Sequence, residues 1–464
     1  MWILRVVMLL ALFCSQLASA EEATAPLPSV PTDATSTLER KVEALEQKVK
    51  QFGERAEASS SGVKSDEIVL KSSSGDLTLQ LNGILQADGR LFLNDEAHAL
   101  TDTLTTRTIR PIFSGTYANL LRWQFSPDFA AGVATIQDAW VDLQLSDRVT
   151  IRVGKMTVPF GLERSQGTAA LRFVERAFPT QLAPNRDVGV LVFGESPDKR
   201  LGWAVGGFDG AIDNGLTDTD NNDSKELLGR VYVRPFGKQQ NDWLSSLLLG
   251  AAVTWGEQNG TDASPATPSW KSPGQNTFYT FRNGEKGKDA SGAPIPLPNP
   301  VANGARVRWT AHVWWAGGPI ALLGEYIGVN EPISRPGVNG ATPTRGEWNA
   351  SAWQGALSYV VGGKPSFSGT KIDTPFHVGA PGWGAFEVAA RASGISAEAP
   401  TSVVYTDPSK SARQAISVTG GVRWHLSEHY RLFLDYEHTV FGGGSATGDR
   451  ATEQAVLGRI QLAY

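Results

Sequence analysis

The chain has 464 residues, with 42 Lys and Arg against 47 Asp and Glu, a formal net charge of −5 and a single Cys. The acidic balance argues against a nucleic-acid binder, and 41% hydrophobic with 19% charged residues does not describe a disordered chain. Beyond the first twenty residues no apolar run could cross a bilayer as a helix, which excludes a helical membrane bundle. The mean hydropathy of −0.19 leaves open a membrane β-barrel, whose alternating strands average near neutral.

Residues 1–20 carry Arg5, an apolar run from Val6 to Phe13, and Ala18-Ser19-Ala20. This pattern predicts a secretory signal peptide, because the run is too short to span and Glu21 and Glu22 follow at once. The only cysteine, Cys14, lies inside that leader. An exported chain would therefore have no disulfide, thiolate metal site or Cys nucleophile. Residues 21–35, rich in Ala, Thr and Pro, predict a flexible spacer. In 36–53, Leu38, Val42, Leu45, Val49 and Phe52 repeat at 4-3-4-3, the seam of a short coiled coil, with Ser36 and Glu39 as a capping box. So short a helix is not stable alone. It is expected to self-associate beside subunits already held together, with docking on its own protein as the alternative. Residues 54–74 are expected to be a linker.

From 75 to 464 the period is two, the expected β-barrel. Leu77, Leu79, Leu81 and Leu85 alternate with Thr78, Gln80, Asn82 and Gln86. Val418 and Val422 oppose Thr419 and Arg423, and Leu432, Leu434 and Tyr436 oppose Arg431, Asp435 and Glu437. Successive strand side chains point to opposite faces, so one face is apolar and the other charged. A soluble sandwich would alternate in the same way. The large number of repeats, Trp123, Trp203, Trp243, Trp353 and Tyr430 near expected strand ends, and the final Val456, Ile460, Leu462, Tyr464 alternation favour an all-β transmembrane antiparallel barrel. Short connections such as 426–429 contrast with long polar ones at 209–224, 256–304, 328–348 and 395–412. These are expected to be periplasmic turns and outer loops respectively.

The order Arg110-Pro-Ile-Phe-Ser-Gly115, Trp123-Gln-Phe-Ser-Pro-Asp128, Gln137-Asp-Ala-Trp-Val-Asp142, Arg152-Val-Gly-Lys-Met-Thr-Val-Pro-Phe-Gly-Leu-Glu163 and Phe173-Val-Glu-Arg176 resembles the phosphate-selective porin family, type O and P, of Gram-negative outer membranes. The resemblance implies a sixteen-stranded barrel that forms a homotrimer in outer-membrane lipid. It also implies an inward constriction loop after the motif, and passive uptake of small anions. Two departures bear on phosphate. Where well-studied members carry adjacent arginines, this chain has Ile109-Arg110, and its inward loop Arg164-Ser-Gln-Gly-Thr-Ala-Ala-Leu-Arg172 has no lysine.

Strand parity independently places Arg110, Arg122 and Arg152, with Arg90, Arg230, Arg234, Arg306, Arg308, Arg391, Arg423, Arg431 and Arg459, on the lumen side. An arginine facing lipid at mid-bilayer would cost about 2–4 kcal/mol. Arginine stays charged and its fork matches phosphate or carboxylate oxygens, so a ladder of them offers an entering anion several weak sites. Arg164, Arg172, Arg176 and Arg186 are the expected constriction residues, and Asp138 their orienting carboxylate. The competing expectation is that these arginines pair with lumen carboxylates or brace the loop through Glu163 and Glu175. Lys155 shares the parity of Val153 and is expected near an interface or strand end rather than in the pore. No cofactor, metal or catalytic group is expected. Asp218–Asp223 lacks the glycine and terminal glutamate of a calcium loop, and Gly442–Gly448 lacks the Lys-Ser/Thr of a phosphate loop. The leading expectation is an anion-preferring porin. The alternatives are a general or organic-solute channel on the same barrel, and a barrel enzyme or adhesin using the long loop.

Overall fold

The computed structural model describes residues 68–464 apart from 96–99, 216–222, 238–242, 289–290, 339–340, 380 and 399–401. The expected signal peptide, spacer and coiled coil therefore lie outside the described residues, as does most of the calcium-like loop. Sixteen long antiparallel strands form the wall: β1 Leu77–Leu93, β2 Thr103–Tyr117, β3 Leu121–Asp128, β4 Thr135–Ser146, β5 Val149–Thr157, β6 Arg186–Glu195, β7 Leu201–Phe208, β8 Glu226–Val233, β9 Leu248–Asn259, β10 Val301–Gly317, β11 Ile320–Arg335, β12 Thr344–Val361, β13 Ala385–Glu398, β14 Ala412–His425, β15 Tyr430–Ser445 and β16 Glu453–Ala463. Each pairs with the next, and β16 returns to β1 with Asp88 opposite Arg459 and Gln86 opposite Gln461. Side chains lock that closing seam. Arg459 forks onto both oxygens of Asp88 at 2.7 Å each, and Gln86 Nε2 donates to Gln461 Oε1 at 2.7 Å. Closure leaves the sheet without an open edge in the bilayer, where an unpaired backbone group costs several kcal/mol.

Period-two chemistry sorts the two faces. Along β15, Leu432, Leu434 and Tyr436 are exposed outward while Asp435 and Glu437 are buried inward. Across β13 and β14, Val388, Val418 and Val422 face out against Glu387, Thr419 and Arg423 inside. The outer face is thus a belt of Leu, Val and aromatic side chains suited to hydrocarbon. At the short-turn end it carries Trp243 stacked on Trp315 at 5.5 Å and Phe386 stacked on Trp424 at 5.6 Å, as an interfacial girdle would. Trp353 differs from expectation: it sits mid-strand in β12, its ring over Gly394 of β13.

The long connections are shorter than their polarity suggested. Residues 328–335 continue β11 and 344–348 begin β12, because strands run past the apolar belt with mixed polarity. Residues Ile68–Lys71, read as linker, form a short strand against Thr78–Leu81, on the edge of β1 where β16 pairs farther along at Ile84–Leu93. Turns at one end are tight, as between β2 and β3, β4 and β5, β10 and β11, and β14 and β15. One connection at that end, 362–384, is long and carries a hairpin, Gly363–Ser366 with Gly369–Ile372.

Candidate functional site

The segment 158–185, between β5 and β6, folds into the lumen, and its entry is built by the Gly154–Glu163 motif. Gly154 has φ +124°, and a Cβ there would lie 2.2 Å from the Ala139 carbonyl oxygen, so only glycine lets β5 turn inward beside β4. Val158, Phe160 and Leu162 are then buried almost completely. Gly161 presses its backbone against Glu325 of β11 on the far wall, where a Cβ would meet Oε1 at 3.0 Å. Glu325 accepts from the Leu162 amide at 2.5 Å and from Gln354 Nε2 at 3.0 Å. Glu163 accepts from the Ala177 amide at 2.9 Å and from Gln354 at 3.2 Å, and pairs with Arg391 at 3.5 Å. The motif is a hinge that carries the chain across the lumen and fastens it there.

The rest of the segment is pinned around the circumference. Arg172 bonds Glu387 at 3.0 Å and stacks on Trp314 at 4.6 Å. Phe173 lies between the guanidiniums of Arg391 and Arg423, at 4.3 and 4.4 Å. The Val174 amide donates to Asp435 at 2.7 Å, and Arg431 and Gln461 donate to the Ala169 carbonyl. Glu175 takes Arg90 at 2.9 Å and Arg107 at 3.4 Å. Arg107 was not anticipated from parity. A β-bulge opposite Gln86 and Ala87 leaves it out of register, which turns it toward Glu175. No pattern in the sequence marks that bulge.

Four arginines meet where the segment faces β2, β4 and β6. Arg110 forks onto Asp128 at 2.8 and 3.2 Å and donates to Thr168 at 3.3 Å. Arg186 pairs with Asp138 at 3.2 Å, and Asp138 also accepts from Ser126 at 3.0 Å. Arg164 bonds the Thr180 carbonyl and Asn214, both at 2.5 Å, and Arg176 the Gln166 carbonyl at 3.0 Å. Arg186 is close enough to repel Arg110, Arg164 and Arg176. Glu163 and Glu175 attract Arg176, but their direct bonds go to Arg391 and to Arg90 and Arg107. Glu163 and Glu325 likewise attract Arg164, so of the four arginines only Arg110 and Arg186 hold a carboxylate directly. Of the expected constriction residues, Arg172 stands apart as a brace, because Glu387 of β13 and Trp314 of β10 claim it. Arg122 and Arg152 lie nearer the short-turn end, facing each other across Asp142. Arg152 forks onto Asp142 at 2.6 and 2.8 Å, while Arg122 is exposed. Lys155 lies near the end of β5 and is buried.

Elsewhere most lumen arginines are neutralised, whereas Arg230 donates to the Pro159 carbonyl and Ser165, and Arg431 to backbone carbonyls. Arg306 and Arg308, almost wholly buried, share Glu226 at 2.6 Å each, and Arg308 bonds Asp213 at 2.7 Å. Arg423 holds Asp435 at 2.8 Å. Arg234, expected on the lumen strand, lies just past β8 and bonds Glu195 at the rim. Above the inward segment, the 260–300 connection packs an aromatic cluster into the barrel. Trp270 stacks on Tyr279 at 4.3 Å, Trp348 donates to Tyr279 at 2.9 Å, and Phe278 meets Phe178 at 5.8 Å. Among the described residues no group of His, Asp and Glu is arranged to hold a metal.

A closed sixteen-strand antiparallel barrel, apolar outside and charged within, with a chain segment folded across its lumen, defines an outer-membrane channel of the porin class. Residues 79–464 match the family model described as phosphate-selective porin O and P, and the chain belongs to that family. No curated protein matches the chain. Among solved structures, OmpT of Vibrio cholerae is similar over 86% of this chain and 100% of its own, at 11% identity and a TM-score of 0.51. The outer-membrane channel DcaP of Acinetobacter baumannii is similar over 85% and 99%, at 11% identity and 0.50. OmpF of Salmonella typhi, solved with daunomycin, is similar over 86% and 100%, at 10% identity and 0.50. At such identities the likeness concerns the fold alone.

Proposed function

We propose that this porin passes small anions, phosphate among them, by passive diffusion past Arg110, Arg164, Arg176 and Arg186, with Asp138 orienting Arg186. The observation that carries this reading is the gathering of those four guanidiniums, of which only Arg110 and Arg186 hold a carboxylate directly. Arg164 and Arg176 bond oxygen acceptors of Thr180, Asn214 and Gln166 rather than a carboxylate. A passing anion can exchange with such neutral acceptors at lower cost than with a carboxylate, because a neutral oxygen lacks the full opposite charge that a carboxylate sets against the guanidinium. Arg122 and Arg152 continue the path toward the short-turn mouth, and Arg172 holds the segment in place. The protein acts in this reading as a channel and not as an enzyme. It is exported by the signal peptide of residues 1–20 to the Gram-negative outer membrane, and it assembles there as a homotrimer supported by the family resemblance and the 36–53 seam.

Addition of phosphate to a chloride solution tests the phosphate element in planar bilayers. Reduced chloride current at millimolar phosphate supports it, and an unchanged current removes phosphate from the proposal. A general or organic-solute channel is the second reading. It is favoured by the extent to which Glu226, Asp213, Asp435 and Asp88 neutralise Arg306, Arg308, Arg423 and Arg459, which weakens the positive field along much of the lumen.

A further inference from the structure

Below the arginine cluster the lumen wall of β3 to β6 has a composition that ion conduction alone does not need. Trp140 of β4 and Phe193 of β6 face the lumen and are only partly buried. The Arg152 guanidinium lies 3.5 Å from the Trp140 ring centroid and 5.4 Å from that of Phe193. Asp142 fixes its orientation by taking Nε and Nη2. The third guanidinium nitrogen, Nη1, has no partner among the described residues. On the next strand Arg122 stands opposite Asp142, exposed and without an ion pair among the described residues.

We infer that Arg122, Trp140, Arg152 and Phe193 form a subsite for planar aromatic carboxylates. The inference rests on the channel reading and names a solute class for it. Arg122 and Arg152 Nη1 present N–H donors to a carboxylate. The Trp140 and Phe193 rings present flat apolar surfaces to an aromatic ring, beside the cationic edge of Arg152. A tetrahedral oxyanion uses only the donors. An aromatic carboxylate uses both, and a saturated ring of equal size loses the stacking.

The test uses the full chain purified in detergent, with benzoate, cyclohexanecarboxylate and acetate as probes, saturation-transfer NMR for binding and planar bilayers for conductance. Benzoate is expected to bind roughly three- to tenfold more tightly than cyclohexanecarboxylate, the range that aromatic pairing supplies. Trp140→Leu should remove that difference, and Arg122→Gln should weaken benzoate and acetate alike. Arg122 is exposed, so its variant is expected to fold as the parent does. Conductance without benzoate binding, or binding unchanged in both variants, overturns the subsite. Benzoate binding without conductance supports the subsite and overturns the channel reading instead.

Discussion

Arg172 in the inward segment and Arg186 at the start of β6 serve different ends, because their neighbours differ. Glu387 and Trp314 hold Arg172 against the wall, whereas Arg186 shares Asp138 with Ser126 and repels three other arginines. Replacing Arg110 and Arg176 together by Ala should lower anion selectivity while the barrel persists. Each charge removed should shift the chloride-to-potassium permeability ratio by roughly fivefold, the factor that about 1 kcal/mol gives. An unchanged ratio in bilayers would remove both residues from the pore. Arg172→Gln should change selectivity less than either, since its charge is already matched. Inward parity was legible in the sequence for Arg110, Arg152 and Asp138, because each keeps the phase of polar neighbours, Thr108 for Arg110 and Asp142 for the other two. Which arginines kept a carboxylate was not legible, since Glu387 and Asp435 lie more than two hundred residues from the loop they hold. Arg107 was hidden by a bulge.

The inward segment is an element without regular structure of its own, and its shape comes from anchors on the opposite wall. Phe173 is 2% exposed between two guanidiniums. Phe173→Ala should weaken the anchorage by about 3–5 kcal/mol, the usual cost of such a truncation. Single-channel conductance should then rise and become noisier, and unchanged conductance would show that the segment is held elsewhere. The motif that made the family resemblance legible is the hinge of this element, so its position could be read from the sequence. Its path across the lumen could not, because that depends on Glu325 and Gln354. The outer 260–300 connection is clasped by Glu285, which accepts from Arg282 at 2.5 Å and Arg335 at 3.0 Å. Burial pushes its carboxyl up, but the hydrogen bonds and charges of Arg282 and Arg335 outweigh this and hold it below 4.5. A depressed carboxylate stabilises the clasp above its unfolded pKa and loses that contribution as pH falls through its folded value. Amide exchange in 277–288 should therefore accelerate as pH drops below about 4.5. After correction for intrinsic rates, Glu285→Gln should be fast already at neutral pH, and equal protection in the variant would rule the clasp out.

At the scale of the whole molecule, the near-neutral hydropathy averages a lipid-facing exterior and a largely ion-paired interior. Val418, outward and exposed beside buried Thr419, should tolerate Ala but not Arg, which would cost about 2–4 kcal/mol in a bilayer. Folding yield into lipid vesicles measures this, and equal yields would contradict the orientation of β14. The barrel was legible because one period runs through Leu77–Ala463. Ile68–Lys71 was missed because four residues carry too little pattern to distinguish a strand from a linker. The net charge of −5 does not indicate which ion passes, since most lumen charges cancel in pairs and four arginines gather where the inward segment meets β2, β4 and β6. The reversal potential of the purified protein in a planar bilayer under a potassium chloride gradient reads that cluster directly. A potential of the sign set by chloride permeation, reduced in the Arg110 and Arg176 double variant, is the expected result. A cation-selective potential that the double variant leaves unchanged would contradict the account.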